Sequence, residues 1–360
     1  MSEQGEAPAV SETIAPAPAE RGWGKILLAF VAFLLVPLYP ELQAILPIKD
    51  TMMLFVPVVA ACALVGWWAG GNAFHAIAWT GISILLLGPS GTAPTPFSSL
   101  ARGWSLLLAG AFGLVCLFGN RRPLFSRALI ALGITFCLAT LMTVLGPMTA
   151  SRASQTVSEE LARRDKGWTE MLDSVITAHP KEWTQLTTNV PQFAEIRTEW
   201  PKELANFSDF GATVFPSLLA LESLAAIALG WATYHRLGRT RLGAPMRPLR
   251  EFRFNDQLVW GLIVGLTIVL LPTLSTVSAF GKNLLVFFGV LYAMRGLGVL
   301  SWFMAPGRFG VTLTIGVLML FAPILNGIAA IGFVMLGVAS LALGLGDTWA
   351  DWRGRARPAA

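Results

Sequence analysis

Ten apolar runs follow one another from Trp23 onward, and that succession limits what this chain can fold into more than any other feature. They lie at about Gly24–Leu46, Thr51–Ala69, Ala73–Gly88, Gly103–Phe118, Ala128–Met148, Ala212–His235, Leu258–Val277, Asn283–Met304, Phe309–Pro323 and Asn326–Leu345. Each approaches the ~20 residues that a helix needs to cross a bilayer core. Apolar and aromatic residues fill 54% of the 360 positions and charged residues only 13%, against about 25% charged in soluble domains. Water cannot solvate a chain with so much hydrocarbon. A soluble enzyme, a DNA-binding module and a secreted disulfide scaffold are therefore excluded together. The expected fold is all-α, a polytopic integral membrane helical bundle of about ten transmembrane helices. Eight is the alternative count, because the third, fourth and ninth runs are short and Pro37 and Pro40 interrupt the first.

Charge placement sets the expected organisation. Residues 1–22 form a disordered cytoplasmic leader rich in Ala, Pro and Glu, and 23–148 an N-terminal transmembrane bundle. Residues 149–210 form a polar insert, 211–346 a C-terminal transmembrane bundle and 347–360 a basic cytoplasmic tail. The insert holds ten acids and seven bases, so the chain's net +5 leaves +8 for the rest. Those bases sit in short loops beside apolar runs, the pattern of cytoplasmic loops rather than of a nucleic-acid surface. With ten spans, Arg21 and Lys25, Arg121 and Arg122, the segment 236–253, Arg308 and the tail arginines all fall on one side. Both termini are then cytoplasmic, the location is the inner (cytoplasmic) membrane and the insert is extracytoplasmic. In the insert Val157, Leu161, Trp168, Met171, Leu172, Val175 and Ile176 recur at helical spacing. An amphipathic helix that lies on the outer leaflet or caps the bundle is expected there. Pro180 suits the opening of a second short helix, and Pro191 and Pro201 are expected to cut the rest of the insert into short pieces.

Two charges stand near mid-membrane, Glu222 in the sixth run and Arg295 in the eighth. At 1.5 Å per residue they fall roughly 15 and 18 Å below the outer edge, so they are expected to contact each other. Tyr292, one turn before Arg295, completes a candidate substrate-binding set. Asn283 and Asn326 are expected near the outer mouth and are read as helix caps, with solute contacts as the alternative. Gly261 and Gly265 form a GxxxG that, with Gly296, is expected to pack helices of this chain against each other. Arg236, Arg239, Arg241, Arg247, Arg250 and Arg253 are candidates for docking anionic lipid headgroups or a partner. Cys62, Cys116 and Cys137 read as small buried hydrophobes. HExxH, GxSxG, CxxC and Walker-type patterns are absent from the sequence. No catalytic residue, metal or cofactor is therefore expected, and the chain is not expected to be an enzyme.

The stretch Phe252-Arg253-Phe254-Asn255-Asp256-Gln257-Leu258-Val259-Trp260, and the later run that begins at Asn283 and carries Tyr292, Arg295 and Gly296, resemble the C-terminal half of the YybS-like family. That family comprises uncharacterised multi-spanning bacterial membrane proteins, with glutamine at the place of Arg295. Its membrane part is similar to the substrate-binding subunits of energy-coupling-factor transporters, compact bundles that bind a small solute near the outer face. The resemblance implies a solute-binding or transport component, with membrane lipids and other membrane subunits as partners and a pocket between the sixth and eighth spans. The alternative is a non-transporting scaffold or assembly subunit of a larger membrane complex.

Overall fold

The computed structural model describes residues 23–35, 43, 46–88, 95–119, 122–146, 149–189, 192–238, 240, 242–304, 308, 310–312, 315–316 and 326–355. The leader, Pro37 and Pro40, most of the ninth run, Arg239 and Arg241 lie outside them. Among the described residues the fold is helical throughout, without a strand. The helices are α1 (Gly24–Leu35), α2 (Met52–Trp68), α3 (Ala73–Leu87), α4 (Pro96–Phe118), α5 (Leu124–Leu145), α6 (Ala150–Ala178), α7 (Pro180–Asn189), α8 (Gln192–Leu237), α9 (Val259–Leu270), α10 (Ser278–Phe303), α11 (Asn326–Ala350) and a last turn, α12 (Trp352–Arg355).

Local chemistry accounts for the boundaries. Asn72, Thr95 and Thr149 accept hydrogen bonds from the backbone amides of Phe74, Ser98 and Arg152 and so open α3, α4 and α6. Pro96 sits at the first position of α4, where its missing amide costs nothing. α9 stops at Leu270, and a 3₁₀ turn from Pro272 to Val277 leads into α10. Five stretches are long and apolar enough to cross a membrane: Pro96–Phe118, Leu124–Leu145, Ala205–Leu237, Pro272–Phe303 and Gly332–Ala350. Four shorter apolar helices accompany them. Among the described residues the runs therefore become a mixture of long and short helices.

One expectation is overturned outright. Pro201 does not cut the chain: α8 continues through it, and through Pro216, for 46 residues. At 1.5 Å per residue that is about 69 Å, so α8 projects well past a bilayer and carries the second half of the insert on the same rod. Proline removes one hydrogen bond, but its fixed φ is helical, and a helix braced by neighbours tolerates it. The boundary placed at residue 210 thus falls inside a continuous helix.

Contacts between helix ends sort the bundle into two poles. At the insert pole, Arg164 of α6 lies over Phe97 of α4, and Ser217 of α8 meets Asn283 of α10. At the loop pole, Arg127 donates to the Leu242 carbonyl at 2.6 Å and stacks over Trp231, and Arg295 of α10 meets Asp347 of α11. Between the poles, Leu54, Val58, Leu108, Phe112, Ala131 and Ile227 build a fully buried core from α2, α4, α5 and α8. Among the described residues, large exposed aromatics avoid the middle. Trp23, Trp67, Trp68, Phe74, Phe118, Trp260, Phe303 and Trp349 ring the loop pole at the ends of seven helices, and Phe207, Phe210 and Phe280 mark the insert pole. Such rows sit where a bilayer's hydrocarbon gives way to headgroups. From Phe280 to Phe303 along α10 is about 34 Å, close to the thickness of a bilayer core.

Candidate functional site

A cavity of about 1420 Å³ lies at the insert pole between α4, α5, α8 and α10, beneath the first turns of α6. Phe97, Trp104, Leu132, Phe136, Phe215 and Phe287 give it an apolar wall. Its polar residues at the α8–α10 seam are occupied with one another. The Ser217 amide donates to Asn283 Oδ1 at 3.0 Å, and Asn283 Nδ2 donates to the carbonyls of Thr213 and Ala279 at 2.8 Å each. Asn283 is thus a clamp between α8 and α10 inside its helix, not the cap expected; the side chain of Asn326 lies outside the described residues.

One rim of the cavity is a short non-helical strap. Arg164 donates to the carbonyls of Leu46 at 2.6 Å and Pro47 at 3.2 Å, and its Nε to Glu160 at 3.0 Å. From the other side Glu222 Oε2 accepts from the Ile48 amide at 3.0 Å, and Ile48 lines the cavity. Helix α6 is fastened further by Trp168, which donates to Gln43 at 2.9 Å, and by Ser208 of α8, which donates to Asp165 at 2.7 Å. Burial at this contact pushes the Asp165 carboxyl above its usual value, and the Ser208 bond opposes the shift. The amphipathic insert therefore caps the bundle through a buried arginine. Arg164→Ala should strip a partner from Glu160 and from the carbonyls of Gln43, Leu46 and Pro47 and expose residues 150–189 to limited proteolysis. Arg164→Lys should restore only part of the protection, since one ammonium cannot serve a fork of acceptors.

Glu222 and Arg295 do not meet. The Ser217–Asn283 contact fixes the register of α8 against α10. Glu222 lies five residues beyond that level and Arg295 twelve, so Arg295 sits about 10 Å nearer the loop pole. Counting depth from the first apolar residue of each run misses this, because α8 and α10 both begin before those residues. Arg295 pairs instead with Asp347 at 3.0 Å and Asp256 at 2.5 Å, and lies 5.5 Å over the Phe254 ring. Arg353 joins Asp347 at 2.7 Å and donates to the carbonyls of Arg250 and Phe252. Tyr292 is buried against Phe254 at 5.0 Å, away from the cavity. The three residues grouped from the sequence thus occupy two separate places.

The glycines expected to pack helices do so. A Cβ on Gly261 would overlap the Phe288 ring, one on Gly265 would lie 2.9 Å from Leu284 Cβ, and one on Gly296 would overlap the Ser340 carbonyl. Among the arginines, Arg253 is committed to an ion pair with Asp351, and Arg236 donates to the Ala232 carbonyl one turn back. Arg247 and Arg250 are exposed at the loop pole. Cys62 and Cys116 are buried, but Cys137 is exposed on the surface of α5. Sequence reasoning did not single out Asp347 or Arg164, the hubs of the two clusters. The one available signal for Asp347 was a lone acid closing an apolar run opposite an intramembrane arginine. Among the described residues no group of His, Cys, Asp or Glu could hold a metal ion.

A family model described as Predicted membrane protein (DUF2232) matches residues 27–341. No curated protein and no solved structure matches the chain.

Proposed function

We propose that this chain, which belongs to the DUF2232 family of predicted membrane proteins, is a solute-binding or transport component whose site is the cavity between α8 and α10. One observation carries the reading. About 1420 Å³ of space in a bundle of apolar helices exceeds the ~300–1,000 Å³ of ordinary small-molecule sites, and a space left empty on that scale would forfeit many packing contacts. The loop pole, which carries Arg122, Arg127, Arg236, Arg247, Arg250, Arg253 and Arg353, faces the cytoplasm in this reading, and the insert pole faces outward. The site then opens near the outer surface, as in the energy-coupling-factor subunits to which the resemblance pointed; that analogy is one of fold alone.

Gly133 supplies the test. It lines the cavity, and a Cβ there meets nothing within 4 Å. Gly133→Phe should put a ring into the space without strain, leave the protein monodisperse in mild detergent, and sharply reduce the retention of a small molecule that mass spectrometry should detect with the wild type. Gly110→Phe, also in open space but outside the cavity, should change nothing. A scaffold that holds partners through α6, α7 or the arginine-rich loop would behave otherwise, keeping all its co-purifying proteins and no small molecule in either variant.

A further inference from the structure

We infer that the occupant is a membrane amphiphile, held by its long hydrocarbon tail, that enters sideways from the leaflet at the insert pole; this rests on the cavity being the functional site. The wall has the chemistry of a tail site. Among the described residues, Thr80, Glu222 and Ser340 each bury a side-chain oxygen that accepts and donates nothing, and none of the three lines the cavity. The cavity's own Ser217 and Asn283 spend their bonds on each other and on nearby carbonyls. A polar solute needs unspent buried donors and acceptors to replace its water. A hydrocarbon chain needs only contact.

Depth and access agree with that chemistry. The lining residues of α10 run from Ala279 to Phe288 and those of α8 from Ala212 to Ala220, which starts the cavity at the aromatic row of Phe210 and Phe280 and carries it inward about 12 Å along those helices, and about 24 Å along α5 from Leu145 to Leu129. Leu141, Met142 and Phe280 belong both to its lining and to the outer surface, each more than half exposed. In a bilayer that surface faces acyl chains, so the opening is lateral. Charge at the mouth is balanced. Lys49 and Asp50 offset each other there, and exposed Arg152 and Lys282, flanking lining residues Ala153 and Asn283, are matched by exposed Glu159 and by Asp209, one turn before lining residues Ala212 and Thr213. The head that lies at the Phe280 level therefore meets a rim without net charge, and the tail carries the recognition.

The experiment uses the full chain in vesicles doped with photoactivatable phosphatidylglycerol or its phosphatidylcholine counterpart. Crosslinks from both lipids should map to the lining segments 129–146 and 279–288 and fall sharply in Gly133→Phe. Crosslinks undiminished in Gly133→Phe would mean lipid on the outer surface only, and would overturn the inference. Labelling by one of the two lipids alone would overturn recognition through the tail. A water-soluble molecule retained by the wild type and lost in Gly133→Phe would overturn the amphiphile and leave the cavity standing as the site. A wild type that retains no molecule and takes no crosslink in the lining would overturn both readings.

Discussion

Asp347→Ala is expected to be among the most destabilising single substitutions in this chain, at about 3–5 kcal/mol. The carboxylate is fully buried and accepts from Arg295 at 3.0 Å and Arg353 at 2.7 Å, both of whose side chains are only 3% exposed. Taking the anion away leaves two guanidinium groups in a low-dielectric interior with only the half-exposed Asp256 and a few carbonyls for compensation. Four elements come together at this point: α10, α11, α12 and the loop before α9. Asp347→Ala should therefore lower the unfolding temperature in detergent and free the C-terminal segment to carboxypeptidase. Asp347→Asn, which keeps the shape and one acceptor, should cost less. A triple variant with apolar residues at 295, 347 and 353 should recover much of the loss, because it removes the desolvation cost along with the attraction. If Asp347→Ala unfolds at the wild-type temperature, the cluster does not hold the pole together.

The second large effect is expected at Gly296. A Cβ there would overlap the Ser340 carbonyl, and one on Gly344 would overlap the Tyr292 carbonyl. Both obstacles are backbone atoms in facing helices, so no rotamer change makes room. Gly296→Ala and Gly344→Ala should each exceed the usual overpacking cost of about 1–3 kcal/mol and separate α10 from α11. Gly289 and Gly337, on the same two helices, face open space. Alanine at those positions should be neutral or gain up to about 1 kcal/mol from helix propensity. Unfolding temperatures of the four variants decide the matter, and equal behaviour would refute the close crossing.

Features set by local forces were legible in the sequence, and features set by distant contacts were not. Helical periodicity and capping act over a few residues, so α3, the opening of α7 at Pro180 and the amphipathic face of α6 could be read directly. Length was harder. α4 begins at Pro96, seven residues before its apolar run, because Thr95 can cap it and the bundle accepts the polar first turns. The unbroken α8 depends on bracing by α6 and α10 that no local pattern announces. The site was legible in part for the same reason. The pocket was expected between the sixth and eighth runs, and α8 and α10 both line the cavity. Pairing Glu222 with Arg295 required the register of two helices whose contact spans 66 residues of sequence. The Asn283 clamp sets that register and composition does not. Arg164 stands in the apolar stripe itself, three residues after Leu161 and four before Trp168, a signal that the charge is buried but not of what it meets. Only the fold brings the Leu46 and Pro47 carbonyls to it.

The proposed threading sets a hydrocarbon layer between an outward insert pole and a cytoplasmic loop pole, and the proposed access to the cavity depends on it. Single cysteines at Ser158 in the insert and at Met246 in the loop, with Cys62, Cys116 and Cys137 replaced by alanine, test that threading directly with a membrane-impermeant maleimide. Ser158→Cys is expected to react in intact cells and Met246→Cys only after lysis. Reaction of Met246→Cys in intact cells, whether alone or together with Ser158→Cys, would contradict the threading.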